Sequence, residues 1–453
     1  MNYIKKMMKS NILVYIGISS MLILGCNILD IEDRPDPNNT ELSSVIENPT
    51  RSDVNTLVSG TLSGIRTDLA IYYVDVSMVG REIYRFLAAE PRFTGDLLGK
   101  ENSELDAGSF YTTRPWAAYY TNIRMTNILI EAMNSGAGGL SDAERNGVLG
   151  FAKTIKAYEY LLALSLTNEN GIRLQNQSDI NSVGELLSKS ESMDLIASTL
   201  DDAYSNLNSA GSEFLFNLPS GFTGFDAPGT FAQFNRGLRA RVAAYQQDWS
   251  TVLSALNNSF IDAGADLKMG VYYDFTTQPN DVTNPLFANP QSGAGDSWVA
   301  HPSWRADAES GDARVDNKIV DRNSAASLDG LTSDDGLNVY KTQTSSIPII
   351  RNAELLLLRA EALAQRNNAG DLDDAEDNLN VIRNAAGLSG FSRGSGGQAA
   401  VIDEMLNQRR YELFFEGHRW VDMRRYDRLD ELPLDRVGDN VWVSFPIPEN
   451  ENL

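Results

Sequence analysis

Apolar residues recur at spacings of three and four along much of this chain, and this pattern limits the folds open to it more than any other feature. Such spacing places side chains on one face of an α-helix. The apolar stripes run through Val148, Phe151, Ile155, Tyr158, Leu162 and Leu166, then Met193, Ile196, Leu200, Ala203 and Leu207, then Phe231, Phe234, Leu238, Val242 and Tyr245. The sequence therefore predicts a predominantly all-α fold.

Helix-start signals divide these stripes into separate helices. Proline is favoured in the first turn, a serine followed three residues later by glutamate forms a capping box, and aspartate is a good N-cap. The predicted starts are Pro115 for residues 116–133, Ser141 with Glu144 for the stripe that includes Val148, and Asp248 for residues 249–260.

Two further segments, residues 351–365 and 372–386, predict a helical hairpin across a short polar turn. Its helices carry the small residues Ala360, Ala364 and Ala375, which let paired helices approach closely. This pattern resembles a tetratricopeptide repeat. We therefore expect tetratricopeptide-like helix pairs in a right-handed superhelical frame, with an irregular helical bundle as the alternative.

Three long segments between the helices have few periodic cues: residues 82–114, 211–229 and 265–347. They are rich in Gly, Asp, Asn and aromatic residues. Long irregular connections on a rigid frame are usually functional. We therefore expect these segments to be ligand-binding loops.

The N-terminal residues have the pattern of a secretory leader. Three lysines precede an apolar run over residues 12–24, which is too short to span a bilayer. Cys26, the single cysteine, follows Gly25 in an arrangement that resembles a bacterial lipobox. We expect a lipoprotein signal peptide over residues 1–25, lipidation of Cys26 and a flexible tether over residues 26–45. An ordinary signal peptide or a buried apolar helix is the alternative.

The acidic balance of the chain restricts its partners. There are 38 basic and 61 acidic residues, and the formal net charge is -23. Phosphate binding needs a basic face, so nucleic acid is excluded as a partner. The same charge repels anionic ligands at long range. With 42% hydrophobic residues and no second apolar span, residues 46–453 are predicted to form a single domain held by its core.

Two blocks near the C-terminus carry the most specific pattern. Residues 408–425 read QRRYELFFEGHRWVDMRR, and residues 351–362 read RNAELLLLRAEA. With the PIP segment at residues 446–448, they resemble the signature of the SusD/RagB family. The chain is accordingly identified as SusD-like, with the signature region over about residues 300–453.

The signature itself predicts structural roles. Residues three or four apart face each other on a helix, so Arg409, Glu412 and Glu416 are expected to pair along one turn. Gly417 is expected to supply the left-handed residue that ends the helix. An anion site, or a catalytic pair of Glu416 and His418, is the alternative reading.

The resemblance implies a function that the motif does not show. SusD-like proteins are cell-surface lipoproteins of the outer membrane that bind glycans or other nutrients and form a lid over a SusC-like TonB-dependent transporter. The implied function is therefore capture of an oligosaccharide or polysaccharide and delivery to that partner, without catalysis. A tetratricopeptide-type envelope scaffold and a surface glycoside hydrolase are the alternatives.

Candidate ligand-binding residues follow from the regions where the family places its ligand surface. Aromatic faces pack on sugar rings while arginines meet hydroxyl groups. Trp298 and Trp304 come first, because the Gly, Pro and Ser residues around them suggest an exposed loop. The further candidates are Arg305, Tyr272, Tyr273, Arg81, Tyr84, Arg92 and Phe93.

Motifs of catalysis and metal binding are missing from the sequence. The two histidines, His301 and His418, are far apart, and no H-E-x-x-H, C-x-x-C, Walker or G-x-S-x-G motif occurs. We therefore predict no catalytic residue, no metal site and no cofactor. Acidic clusters at residues 329–336 and 371–377 leave a calcium ion as the alternative, although neither has the order of an EF-hand loop.

Overall fold

Helices dominate the part of the chain that the structure describes. The computed structural model describes residues 46–135, 139–175, 184–293 and 295–451. The predicted leader, Cys26 and the tether lie outside these residues. Residues 46–453 make up one compact unit.

The three apolar stripes of the sequence each lie on one helix, and further helices occur outside them. In chain order the helices are α1 (Arg51–Gly64), α2 (Leu69–Val79), α3 (Phe110–Asn134), α4 (Asp142–Thr167), α5 (Lys189–Asn208), α6 (Pro228–Tyr245), α7 (Trp249–Asn257), α8 (Pro302–Ala306), α9 (Ala313–Lys318), α10 (Asn352–Arg366), α11 (Asp371–Ala385), α12 (Gly397–Glu412) and α13 (Arg419–Arg425).

The strands lie almost entirely in the segments between helices. They are β1 (Ile83–Phe86), β2 (Ile172–Arg173), β3 (Leu186–Leu187), β4 (Gly270–Tyr273), β5 (Ser297–Ala300), β6 (Ile319–Leu328), β7 (Leu331–Leu337) and β8 (Ile347–Arg351). One antiparallel sheet has the order β1-β5-β7-β6, while β2 pairs with β3 and β4 pairs with β8.

Sequential helices pack against each other, as predicted for a tetratricopeptide-like frame. Contacts join α3 to α4, α4 to α5, α5 to α6 and α10 to α11. In the α10–α11 hairpin Ala360, Ala364 and Ala375 are fully buried, so the two backbones approach without a large side chain between them. The predominantly all-α prediction is confirmed.

No helix among the described residues combines the length and apolarity needed to cross a bilayer.

The predicted helix starts have mixed outcomes. Ser141 and Glu144 form the expected capping box, with the Ser141 N–H 2.8 Å from Glu144 Oε2. Asp248 caps α7 through the Thr251 N–H, although α7 ends at Asn257. The predicted start at Pro115 is wrong, because α3 begins at Phe110 and Pro115 lies inside it.

Side-chain hydrogen bonds explain the earlier start of α3. Thr112 Oγ1 donates to the carbonyl of Asp106, Thr113 Oγ1 donates to that of Ser109, and Tyr111 Oη accepts from the Asp106 N–H. These hydrogen bonds stabilise the first turn of α3. A search for periodic apolar residues does not detect them, because they are made by polar groups.

The prediction of purely irregular segments is wrong for residues 82–114 and 265–347. These two segments supply all four strands of the β1-β5-β7-β6 sheet. The strands β1 and β5 pair over only four residues each, which is too short for alternation to be recognised in one sequence.

The signature residues pair differently from the prediction. Arg409 Nε donates to Asp422 Oδ2 at 2.7 Å, so the expected Arg409–Glu412 pair is wrong. Glu412 instead accepts from Arg351 across the fold. Gly417 is left-handed as predicted, with φ 82, but α12 has already ended at Glu412.

Candidate ligand-binding cleft

A cleft of about 730 Å³ opens beside the β4–β8 strand pair. Helix α9, the loop between β7 and β8, and the C-terminal end of α11 complete its wall. We call it the β4–β8 cleft and define it by Lys268, Tyr272, Lys318, Lys341 and Ser346. Its size falls within the roughly 300–1,000 Å³ range of small-molecule sites.

Strand geometry directs one aromatic ring toward this cleft. Successive residues of a strand point to opposite faces. Tyr273 therefore turns into the core, where its hydroxyl donates to Tyr158 Oη at 2.8 Å. Tyr272 is half-buried, lines the cleft and donates its hydroxyl to the Lys268 carbonyl. The result is a fixed aromatic side chain beside polar donors.

Arg351 organises one wall of the cleft. Its guanidinium donates to Glu412 Oε1 at 2.7 Å and to both carboxylate oxygens of Glu416 at 2.8 and 2.9 Å. Burial acts to raise the pKa of Glu412, but the Arg351 charge outweighs it and the pKa falls to about 2. Both glutamates are thus engaged by one cation at the end of β8.

Helix α9 adds two more cations. Lys318 Nζ donates to the carbonyls of Tyr411 and Glu412 at 2.8 and 2.5 Å, and burial lowers its pKa to about 8. Arg314 is held by Asp312, with Nη2 2.7 Å from Oδ2. The Arg314 Nη1 lies 3.6 Å from a Glu412 oxygen and makes no hydrogen bond with a described residue.

A second groove of about 380 Å³ lies along the sheet, with Phe86, Ser297, Arg322 and Ser327 in its lining. It lies between the two segments that the sequence marked as ligand-binding loops. Phe86 is buried, and Arg322 Nη2 is engaged by the Ser292 carbonyl at 2.7 Å. This groove therefore offers fewer free recognition groups than the β4–β8 cleft.

The expectation that Trp298 and Trp304 stand on an exposed loop is wrong. Trp298 lies on β5 and is 6% exposed, and Trp304 lies on α8 and is 1% exposed. The Trp304 ring packs 4.2 Å from the Phe414 ring. Both rings are core elements in this conformation.

The structure brings Trp298 and Phe93 together. The Arg85 guanidinium lies 4.7 Å from the Trp298 ring centroid and 4.6 Å from that of Phe93. Asp296 accepts from Arg85 Nη2 at 2.7 Å. This cation–π arrangement ties β1 to the start of β5.

The remaining candidates are already occupied by internal partners. Arg81 and Tyr84 are buried; Arg81 Nη2 donates to the Asn440 carbonyl at 2.7 Å and Tyr84 to Asp435 at 2.5 Å. Arg92 and Arg305 are partly exposed, but Arg92 pairs with Glu90, and Arg305 pairs with Asp335 and Asp321. Of all the candidates, only Tyr272 lines the β4–β8 cleft, and the binding roles of the others stay predictions.

Sequence reasoning missed the lysines of the cleft. Lys268 and Lys341 are exposed there, and Lys318 lines the same cleft with its amine on the Tyr411 and Glu412 carbonyls. A signal was present, since only seven lysines follow the first nine residues of the chain. Three of those seven line one cleft.

The alternative catalytic pair does not form. Glu416 is engaged by Arg351, and the carboxylate next to His418 Nε2 is that of Glu354, at 3.7 Å. Burial lowers the pKa of His418 to about 4. His418 is buried, and Glu416 is held by Arg351 in the wall of the β4–β8 cleft.

Acidic clusters have basic partners in the structure. Asp329 pairs with Lys100 and Arg436, and Asp371 pairs with Arg366. Over the described ranges, no group of three His, Cys, Asp or Glu side chains is arranged to hold a metal ion.

The amino-acid sequence is similar to known proteins over part of its length. Residues 314–441 match the model of the SusD family. A stretch of 112 residues is 32% identical to the SusD-like protein P38 of Formosa agariphila, and it covers 22% of this chain and 22% of that protein. The sequence match thus spans about a fifth of the curated relative.

Solved structures extend the similarity over most of the fold. A SusD superfamily protein from Bacteroides vulgatus has a TM-score of 0.66 at 17% identity, covering 89% of this chain and 97% of that one. The surface glycan-binding protein A of Bacteroides thetaiotaomicron has a TM-score of 0.68 at 14% identity, covering 88% and 96%. A SusD-like protein from Bacteroides fragilis has a TM-score of 0.64 at 16% identity, covering 90% and 96%.

The predominantly helical, tetratricopeptide-like frame of this chain is thus the fold of these solved SusD superfamily structures. Within this fold, residues 314–441 are the part that matches the SusD family by sequence.

Proposed function

We propose that this protein is a cell-surface lipoprotein that binds a glycan in the β4–β8 cleft and delivers it to a SusC-like TonB-dependent transporter of the outer membrane. The observation that carries the binding proposal is the half-buried ring of Tyr272 beside the amines and hydroxyls of a 730 Å³ cleft. An aromatic face packs on a sugar ring while polar groups bind its hydroxyls.

The match of residues 314–441 to the SusD family model supports the same proposal. One solved protein with this fold is named a surface glycan-binding protein. In our chain, the two glutamates of the cleft are engaged by Arg351, so they are poorly placed to act as acid and nucleophile on a glycosidic bond. We therefore infer binding without cleavage.

The binding proposal is tested with the purified mature protein and Tyr272→Ala. Biolayer interferometry on a panel of immobilised neutral and acidic polysaccharides gives the affinity, and chromatography of the recovered glycan shows whether it was cut. Tyr204→Ala is the matched control, because Tyr204 is also half-buried and aromatic but lies on α5 outside the cleft.

We expect Tyr272→Ala to weaken binding by about tenfold or more, since truncation of a dominant aromatic contact typically costs about 2 kcal/mol or more and about 1.4 kcal/mol is a factor of ten. Tyr204→Ala should bind like the parent protein. Equal weakening by both variants, or new chain ends in the recovered glycan, would contradict the proposal.

The anchor is proposed at Cys26, which lies outside the described residues. Several acyl chains at about 0.8 kcal/mol per buried methylene give a stable membrane attachment. Labelling of growing cells with radioactive palmitate should mark the protein and leave Cys26→Ala unmarked. The transporter partner is tested by purifying the tagged lipoprotein from detergent-solubilised outer membrane and identifying a co-purifying TonB-dependent barrel.

A further inference from the structure

Lysine is scarce in this protein, and its distribution is uneven. Ten lysines occur in the chain, and three of them stand in the predicted leader. Of the seven others, Lys268, Lys318 and Lys341 line the β4–β8 cleft. A ligand site thus contains a large share of the lysines of an acidic chain.

The lysines elsewhere have local partners. Lys100 pairs with Asp329, Lys189 with Glu169, and Lys153 with Asp202. Lys156 is buried, with its ammonium 5.8 Å from the centroid of the Tyr160 ring. Each of these lysines therefore interacts with another side chain of the protein.

Lys268 and Lys341 differ from them. Both side chains are exposed, and neither forms an ion pair with any residue in the described part of the chain. Both stand at the rim of the same cleft. The fold therefore gives these two ammonium groups no carboxylate partner.

Other charges in the cleft leave the excess positive. Arg351 pairs with Glu412 and Glu416 and balances one of their two charges, and Asp266 Oδ1 accepts the Lys268 backbone N–H at 2.9 Å. Lys318 contributes a further cation, bound to backbone carbonyls rather than to a carboxylate oxygen. At physiological salt, charges more than about 8 Å apart are screened. The lysines, and not the net charge of -23, therefore determine the potential that a ligand meets inside the cleft.

We propose that the β4–β8 cleft takes an anionic oligosaccharide, whose ring carboxylates or sulfate esters pair with Lys268 and Lys341 while a sugar ring packs on Tyr272. This inference rests on the proposed function and narrows its ligand class. A neutral glycan that covered the two ammonium groups would offer them only hydroxyl oxygens in place of water and no opposite charge, so part of the desolvation cost would remain. An anionic group compensates that loss with a charge-assisted hydrogen bond.

The test compares glycans that differ only in charge. Polygalacturonate and its methyl ester share a backbone, and so do a sulfated galactan and its desulfated form. Starch and xylan serve as neutral glycans. Binding of the purified mature protein to each immobilised polysaccharide is measured by biolayer interferometry at low and physiological salt.

Two double variants separate the cleft from the overall charge. Lys268→Gln/Lys341→Gln removes the two amines of the cleft. Lys153→Gln/Lys189→Gln removes the same charge from α4 and α5, outside the cleft.

We expect the acidic member of at least one pair to bind about tenfold or more tightly than its neutral form. The cleft double variant should lose most of that difference, and the control double variant should keep it. The pair that responds distinguishes carboxylate from sulfate as the recognised group.

Tight binding that is confined to starch, xylan or the neutral forms overturns this inference and leaves the glycan-binding function intact. An acidic preference that the cleft double variant retains also overturns it. If the protein binds none of the polysaccharides in the panel, the proposed function and this inference are both contradicted.

Discussion

Arg241 on α6 and Glu354 on α10 lie 113 residues apart in sequence and form a buried ion pair. Arg241 Nε and Nη2 each donate to a different Glu354 oxygen at 2.6 Å. Nη2 also donates to the Ile349 carbonyl at 2.7 Å. The pair thus fixes α6 against β8 and the first turn of α10, beside the wall of the β4–β8 cleft that Arg351 organises.

Replacement of Glu354 by alanine should lower the free energy of unfolding by about 3–5 kcal/mol, because it leaves the Arg241 charge buried without a partner. Urea unfolding followed by circular dichroism measures this change. The double variant Arg241→Met/Glu354→Leu removes both charges and should recover most of the loss. A double variant as unstable as the single one would show that packing, and not the unpaired charge, dominates.

Titration of the buried Glu159 carboxyl group should lower the stability of the protein as pH rises. Burial raises its pKa from 4.5 to about 8, and its Oε1 accepts from Asn122 Nδ2 at 2.8 Å. Between these pH values the folded protein keeps a proton that the unfolded chain releases. The unfolding free energy should therefore fall by up to about 1.4 kcal/mol per pH unit from this group, and this stabilisation is complete only below pH 4.5.

Glu159→Gln keeps the shape of the side chain and removes the titration. Its unfolding free energy should depend less on pH between about 5 and 8, and it should exceed that of the parent protein at the upper end. Glu213→Gln, at an exposed site, should keep the parent slope. Chemical unfolding across this pH range provides the measurement, and parallel curves for the parent and Glu159→Gln would refute the assignment.

Much of the fold was predictable because its helices can be recognised from short-range patterns in the sequence. The stripe from Val148 to Leu166 and the Ser141–Glu144 capping box depend on residues three or four apart, and both are confirmed. The α10–α11 hairpin was predicted within one residue at each boundary. Such features need no knowledge of the rest of the chain.

Features formed by residues far apart in sequence were missed, because such contacts leave no local pattern in the sequence. Arg409 pairs with Asp422 rather than with Glu412 because α12 ends and the chain returns through α13. The burial of Trp304 depends on Phe414, more than a hundred residues away. The cleft lysines come from three separate elements, and only their shortage elsewhere in the sequence gave a hint of them.

Trp304→Ala should cost about 3–5 kcal/mol of stability, since removal of a buried tryptophan leaves a large cavity. By contrast, Asp321→Ala should cost about 1 kcal/mol or less, because the Asp321 side chain is 90% exposed and its partner Arg305 keeps Asp335 as a second partner. Thermal unfolding of both variants makes the comparison. If Trp304→Ala kept the parent stability and lost glycan affinity, the ring would be a ligand platform in a second conformation.

Gly417 and Gly370 provide a matched pair for the cost of a side chain in the left-handed region. Their φ angles are 82° and 88°, so alanine at either position should lose about 1–2 kcal/mol from backbone strain. A Cβ at Gly370 meets no atom within 4 Å, whereas one at Gly417 lies 3.1 Å from Tyr72 Cε1. Tyr72 is buried and packs edge-on against Tyr73, so it has little room to move. Gly417→Ala should therefore lose a further 1 kcal/mol or more, roughly the cost of overpacking a core. Equal losses in urea unfolding would show that the backbone conformation alone selects glycine in the signature.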